Sequence, residues 1–491
     1  MPSSQELRVL FITSEVYPLC KTGGLGDVSA ALPAALRSMH TDVRLLIPGY
    51  PQILAGVKYK SKIAEFGNLQ QFPPTALLSA RLSLSKSEHI PVFVIDCPGL
   101  YHRAGGPYQD ALGRDWPDNA LRFGLLSKIG AILASDASPI AWRPHIAHCN
   151  DWQSGLTPAY LHFHPGKKAA ALMTIHNLAF QGIFPPGSVV QLGLPPDSFD
   201  INGVEYYGNL SFLKAGLYYA DHITTVSPNY AKEIQTKALG FGLQGLLAAR
   251  RHNMTGIING IATNEWDPAI DSHLVKNYSS KKLSSKTENK SALQQQMGLT
   301  VDAGIPLFGV VSRLSHQKGT DLLIQVAPQL VKIPAQLVVL GSDHAGLEHQ
   351  LSALAKAYPY AIAVHIGFSE ALSHLIEAGI DCFLMPSRFE PCGLNQMYSQ
   401  RYGTLPLVHA TGGLLDTVVD YTPATLADGS ASGFLFHPMT ADSLLNTIKR
   451  AATAYHQKKI WRQLQKNGMA RDFSWHASAT AYRELYSSLL C

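Results

Sequence analysis

Several short strings in this chain hold residue types able to grip a phosphorylated sugar. In Lys21-Thr22-Gly23-Gly24-Leu25-Gly26-Asp27 a lysine precedes glycines that let backbone approach a ligand closely, and a helix opening there would turn free N–H groups toward an anion. In Ser312-Arg313-Leu314-Ser315-His316-Gln317-Lys318-Gly319 a guanidinium able to hold two phosphate oxygens stands five residues before an ammonium point charge. The plain alternative there is a pair of solvated surface cations. In Glu390-Pro391-Cys392-Gly393-Leu394 a carboxylate that can receive two sugar hydroxyls precedes a Gly-containing helix start. Asp151, in Asn150-Asp151-Trp152-Gln153, and His176, in Thr174-Ile175-His176-Asn177, each follow an apolar run. Asp151 is open to two readings, a ligand-facing carboxylate or a helix N-cap. His176 is either a site residue or a satisfied structural histidine. The glycine spacing of the first string is neither GxGxxG nor GxxxxGK[ST], which disfavours a dinucleotide or P-loop site there.

Such residues need strands to carry them. Continuous apolar runs recur at 9–12, 43–47, 92–95, 146–149, 171–175 and 223–226, and again at 307–311, 337–340, 362–366, 382–385 and 405–408. They do not alternate, so both faces are covered, as in parallel strands sandwiched by helices. Val28, Ala31, Leu32, Ala35 and Leu36 follow helical spacing, with Pro33 inside the stretch. Two such series predict two doubly wound α/β domains, residues 1–254 and 255–472, with ligands bound beyond the carboxyl ends of the strands. The Lys/Ser-rich stretch 278–290, with Lys281, Lys282, Lys286 and Lys290, reads as a solvated excursion.

Bulk properties exclude several classes. With 491 residues, 46% hydrophobic and 15% charged, the chain has material for large cores. A net charge of +5 over this length does not indicate nucleic-acid binding. Six cysteines without a CxxC pair fit a reducing compartment, and no apolar run approaches the roughly 20 residues that cross a bilayer. A soluble cytoplasmic protein, with no membrane partner, is expected.

Taken together the strings resemble the bacterial glycogen synthases and plant starch synthases. KTGGLGD, NDW, HNLAFQG, SRLSHQKG and EPCGL stand in that family's order, and the resemblance runs from about residue 8 to 488. It implies the GT-B architecture, two Rossmann-like domains facing a cleft, with a last helix near 473–491 packing back on the first domain. It implies retaining transfer of glucose from ADP-glucose to an α-1,4-glucan, with no metal and no cofactor beyond that substrate. By the same resemblance Lys21, Gly23, Gly24, Arg313 and Lys318 hold the donor's phosphates. Glu390, Cys392, Gly393 and Leu394 meet the donor glucose, and the backbone of Thr411, Gly412 and Gly413 meets phosphate and sugar. Asp151, Asn259 and His176 line the sugar site, with Tyr101 and Asn177 on the acceptor side. His176, Glu390, Arg313 and Lys318 are the catalytic group. Phe368 stands where relatives often stack Tyr on adenine. Two positions depart from the family: Gln153 replaces a frequent histidine, and Ala262 replaces an aspartate in Asn259-Gly260-Ile261-Ala262. A related transferase with a small sugar acceptor and an inactive glucan-binding homologue are the rival readings.

Overall fold

The computed structural model describes residues 6–490 apart from 68, 70, 71, 86 and 87, so Cys491 lies outside it. The chain forms two units, Met1–Val226 with Ala231–Ile257 and Trp475–Cys491, and Ser227–Tyr230 with Ile258–Ser474.

The first unit is built on strands β1 (Arg8–Ile12), β2 (Asp42–Pro48), β3 (Lys58–Phe66), β4 (Thr75–Ser83), β5 (His89–Asp96), β6 (Ile146–Asn150) and β7 (Ala170–Ile175). A small sheet follows, β8 (Ile183–Phe184), β9 (Glu205–Tyr206) and β10 (Asn209–Ser211), and then β11 (His222–Thr225) and β12 (Met254–Gly256). The main sheet has the order β12-β11-β7-β6-β1-β2-β5-β4-β3. All of its pairings are parallel except those of β4 with β5 and with β3. This antiparallel edge was not foreseen, because β3 (KYKSKIAEF) is largely exposed and carries no apolar run. The second unit holds β13 (Leu307–Val311), β14 (Gln336–Gly341), β15 (Ile362–Ile366), β16 (Cys382–Met385), β17 (Leu405–His409) and β18 (Phe434–Phe436) in the order β15-β14-β13-β16-β17-β18, all parallel.

The continuous apolar runs follow from this layering. Successive side chains of a strand face opposite sides. On β14, Leu337 and Val339 enter one core with Phe308 and Leu323, while Val338 and Leu340 enter another with Ile376 and Phe383. The helix Gly24–Ser38 runs unbroken through Pro33. An interior proline costs about 3 kcal/mol, but Val28, Leu32 and Leu36 are all buried, and each such burial contributes about 1.5–3 kcal/mol. The C-terminal helix Trp475–Ser488 belongs to the first unit, where Tyr486 Oη lies 2.7 Å from Nδ1 of the buried His148 on β6.

Sheet order also fixes where loops converge. In the first sheet the order reverses at β1, between β2 and β6, and in the second at β13, between β14 and β16. Ligand sites of open α/β sheets lie at such reversals, beyond the strand carboxyl ends.

The stretch 278–290 corrects the expectation of a solvated excursion. It leads into the helix Lys286–Gln296, and Lys286 and Lys290 are buried. Lys286 Nζ donates to Ala378 O and Thr404 Oγ1, both at 2.7 Å, and burial pushes its pKa down to about 7. Lys290 Nζ sits 2.7 Å from Asp381 Oδ2 and donates to Ile305 O at 2.6 Å. Spacing could not distinguish these lysines from solvated ones, because their partners lie on other elements. Removing one partner of a buried pair strands the other charge. Lys290→Ala is therefore expected to destabilise the protein by about 3–5 kcal/mol, read by urea unfolding, whereas Lys281→Ala on the exposed side changes little.

Candidate active site

In the second unit a pocket of about 370 Å³ opens at the reversal, lined by residues that follow β13, β14, β15 and β16. Arg313 and Lys318 come from the loop after β13, Phe368 from the loop after β15, and Glu390, Gly393 and Leu394 from the turn after β16. Because β13 and β16 are hydrogen-bonded neighbours, the lysine and the glutamate arrive side by side. Lys318 Nζ donates to Glu390 Oε2 at 2.6 Å, and Ser387 Oγ donates to the same oxygen at 3.0 Å. Glu390 is 6% exposed, so a charged carboxylate without these partners would be costly.

The loop that carries Lys318 ends at Gly319, whose φ of +71° and close approach to the Pro386 carbonyl exclude a side chain. Arg388 closes the junction: its backbone N–H donates to Gln317 O at 2.8 Å and its guanidinium pairs twofold with Asp321. Arg313 reaches into the pocket with its guanidinium 3.6 Å from Asp343 and over half exposed, so its charge remains open to an anion. Phe368 presents an exposed ring at the pocket.

In the Thr411–Gly413 turn, Thr411 N–H donates to His409 O at 2.9 Å, and Gly413 N–H is shared between Glu390 O and Pro391 O at 3.1 Å. A Cβ at Gly412 or Gly413 would strike the Glu390 or Cys392 carbonyl. The glycines thus let this turn pack against the Glu390 segment and hold its backbone. Cys392 is buried beneath the turn, its thiol pushed up to about 12 chiefly by burial. Asn259 is also buried, and its Oδ1 has no hydrogen-bond partner, an acceptor open to a donor group.

In the first unit, β1, β6 and β7 deliver a second cluster. Asp151 does not cap the short helix that follows it. Its Oδ1 instead accepts the backbone N–H of His176 at 2.7 Å and of Asn177 at 3.4 Å. Its backbone sits at φ +52°, ψ −176°, a region that costs a non-glycine residue on the order of 1–3 kcal/mol and collects at functional sites. Burial, opposed by those N–H groups and aided by nearby Glu15, pushes its pKa up to about 7.

His176 has a defined tautomer. Asn150 Nδ2 donates to the carbonyls of Ile12 and His148, so Asn150 Oδ1 is left as acceptor, and His176 Nε2–H donates to it at 3.0 Å. Nδ1 is then the unprotonated nitrogen. Burial holds the imidazole pKa down at about 4, so the ring is neutral near pH 7.

The glycine loop carries a residue to which the sequence reading assigned no role. Glu15, buried just past β1, accepts Thr22 N–H and Thr22 Oγ1–H, each at 2.6 Å, and Gly23 N–H at 3.3 Å, and it also takes the Tyr108 hydroxyl. The Gly23 amide is therefore engaged. The helix beginning at Gly24 opens beside Lys21, whose half-exposed ammonium lies 2.8 Å from Asp27. A carboxylate directly after a buried strand was the available signal, but its partners are loop amides that no spacing reveals. Tyr101 also departs from expectation: it is fully buried, with its hydroxyl donating to Arg122 O at 2.6 Å, and is not brought to a surface that a sugar could reach.

Comparison with known proteins places this geometry. The starch synthase catalytic domain model matches residues 8–249, and that of the group 1 glycosyl transferases residues 298–468. The glycogen synthase of Nitrosomonas eutropha is 66% identical over 493 residues, covering 100% of this chain and 98% of that protein. The chain belongs to the glycogen synthase family. The Nitrosomonas europaea glycogen synthase is 65% identical, covering 100% of this chain and 99% of its own. Among solved structures, the catalytic domain of starch synthase IV from Arabidopsis thaliana bound to ADP and acarbose matches with a TM-score of 0.86 at 30% identity, over 99% of both chains. This family member is thus a glycosyltransferase of the GT-B fold. Among the described residues no helix is long and apolar enough to cross a membrane.

The raised Asp151 pKa makes a stability prediction. A carboxyl titrating at about 7 when folded and near 3.9 when unfolded favours the folded state only while protonated. Its penalty grows as pH rises from about 4 to about 7 and is flat above. Asp151→Asn is expected to unfold later than the parent by an amount on the order of a few kcal/mol at pH 8, with the difference shrinking toward pH 4. Denaturant melts across that range check it.

Proposed function

We propose that this chain transfers glucose from ADP-glucose to the non-reducing end of an α-1,4-glucan, with retention of configuration and release of ADP. The observation that carries the reading is the second unit's pocket. There a mostly exposed guanidinium, an ammonium paired to a buried carboxylate, and an exposed aromatic ring share one space of nucleotide-sugar size. It is supported by the family and by a related structure that binds ADP and acarbose.

The residue roles follow from local chemistry. Arg313 and Lys318 meet the diphosphate, the first as a bidentate clamp and the second as a point charge. Lys21 is assigned to a donor phosphate by its family position, its half-exposed ammonium now 2.8 Å from Asp27. Phe368 stacks on the base. Glu390 orders the glucose hydroxyls, with Gly393 and Leu394 beside it, and the Asn259 Oδ1 acceptor takes a sugar hydroxyl. Neutral His176, with Asn177 and Asp151 fixing its loop, offers its Nδ1 lone pair to a sugar hydroxyl.

In the transfer, the bond from glucose C1 to the phosphate oxygen breaks and its electron pair leaves on ADP. The acceptor 4-hydroxyl oxygen bonds to C1 on the same face, and its proton passes to the departing phosphate oxygen. Double displacement would need a free carboxylate nucleophile with a second one about 5 Å away. Glu390 is instead committed to Lys318 and Ser387. The growing negative charge falls on cations placed beforehand, which need little reorganisation.

Lys318→Ala and Arg313→Ala are each expected to lower kcat roughly a hundredfold or more, read as ADP release with glycogen, while the circular dichroism spectrum persists. Near-normal turnover in either variant would overturn the phosphate assignment. Glu390→Gln is expected to depress turnover far more than ADP affinity, measured by calorimetry; equal losses would refute the sugar contact.

A further inference from the structure

The turn after β14 carries a carboxylate on an unfavourable backbone. Asp343 has a φ of +157°, in the positive range that few residues other than glycine adopt. Aspartate is tolerated at positive φ chiefly where its short side chain hydrogen-bonds locally. Among the described residues the Asp343 carboxylate takes no hydrogen bond, and its ion-pair partner is Arg313, 3.6 Å away. Strain of this kind persists only where the surroundings impose it, and it collects at ligand clamps.

Backbone contacts impose it here. Beyond the paired ends of β13 and β14, Leu314 N–H donates to Ser342 O at 3.0 Å, and Leu314 and Asp343 form one further parallel bridge. A Cβ at Gly341 would stand 1.9 Å from Ser312 O, so the two turns pack backbone to backbone. Asp343 N–H is taken by Glu348 Oε1 at 2.9 Å. The main chain thus delivers the carboxylate to the Arg313 guanidinium.

The pairing is easily exchanged. At 3.6 Å it is longer than a hydrogen bond. Both side chains are open to water, 57% exposed for Arg313 and 41% for Asp343, and surface pairs of this kind hold weakly. Lys318, by contrast, is bonded at 2.6 Å to the buried Glu390. A diphosphate carries more charge than one carboxylate and offers the arginine fork two oxygens, so it displaces Asp343. The carboxylate then stays beside the phosphates as a like charge.

We propose that Asp343 is a placeholder counter-ion, which holds Arg313 while the site is empty, yields it to the donor's phosphates, and weakens the hold on the nucleoside diphosphate so that product leaves. It acts through Arg313 and touches no substrate. The inference rests on the proposed function, which assigns Arg313 to the diphosphate.

The test is calorimetric titration of the full chain with ADP, comparing the parent with Asp343→Asn at low salt and again in about 0.5 M salt, which screens exposed charges. Asparagine keeps the shape and removes the charge. The Kd for ADP should fall about threefold or more at low salt and by less at high salt. The KM for ADP-glucose should fall in step, without a matching gain in kcat. The tightening should vanish when Arg313→Ala is also present. Unchanged or weaker ADP binding in Asp343→Asn overturns the proposal, weaker binding marking the carboxylate as a support for Arg313. Tightening that survives Arg313→Ala also overturns it, because the carboxylate would not then act through the guanidinium. So does tightening in Asp343→Gly alone, which would trace to relief of backbone strain. If the parent binds ADP but transfers no glucose to glycogen, the proposed function fails while a tighter Asp343→Asn still upholds the placeholder; a parent that binds no ADP overturns both.

Discussion

A buried carboxylate cannot stay charged alone, and the second unit is arranged around that constraint. Glu390 sits almost out of reach of water, and Lys318 and Ser387 share one of its oxygens. Keeping the pair together requires β13 and β16 to be adjacent, Gly319 to let the loop pass under Pro386, and the Thr411–Gly413 turn to seat the Glu390 backbone. Each is a backbone requirement met by glycine or by strand order. Together they leave one end of the central strands open, with Arg313 and the Lys318–Glu390 pair at the pocket.

The first unit meets the opposite problem, that of loops whose amides need acceptors. Asp151 serves the amides of His176 and Asn177, and Glu15 serves those of Thr22 and Gly23. Two carboxylates therefore hold two loops from inside, and the proximity of Glu15 helps to raise the Asp151 pKa. The neutral, single-tautomer imidazole of His176 follows from the same economy of donors and acceptors, since Asn150 has only its oxygen left to offer. Rigid loops of this kind suit transfer chemistry, where charge must be met by groups already in place.

The sequence alone was enough for the α/β class, the parallel strands and the positions of the loops after them. The reason is that a strand buried on both faces must be apolar at every position, and that pattern needs no knowledge of partners. Motif order was enough for the family. Which residues share a site, and in what state, was decided by the tertiary structure. Lys286 and Lys290 look like the exposed Lys281 in sequence, yet strands and helices far along the chain supply their acceptors. Tyr101, read as a cleft residue, is drawn into the core by the Arg122 carbonyl. Glu15, assigned no role from sequence, is given one by loop amides folded around it. The physical reason is common to all three. A polar group's role depends on which donors and acceptors surround it, and those neighbours are chosen by the fold rather than by its place in the chain.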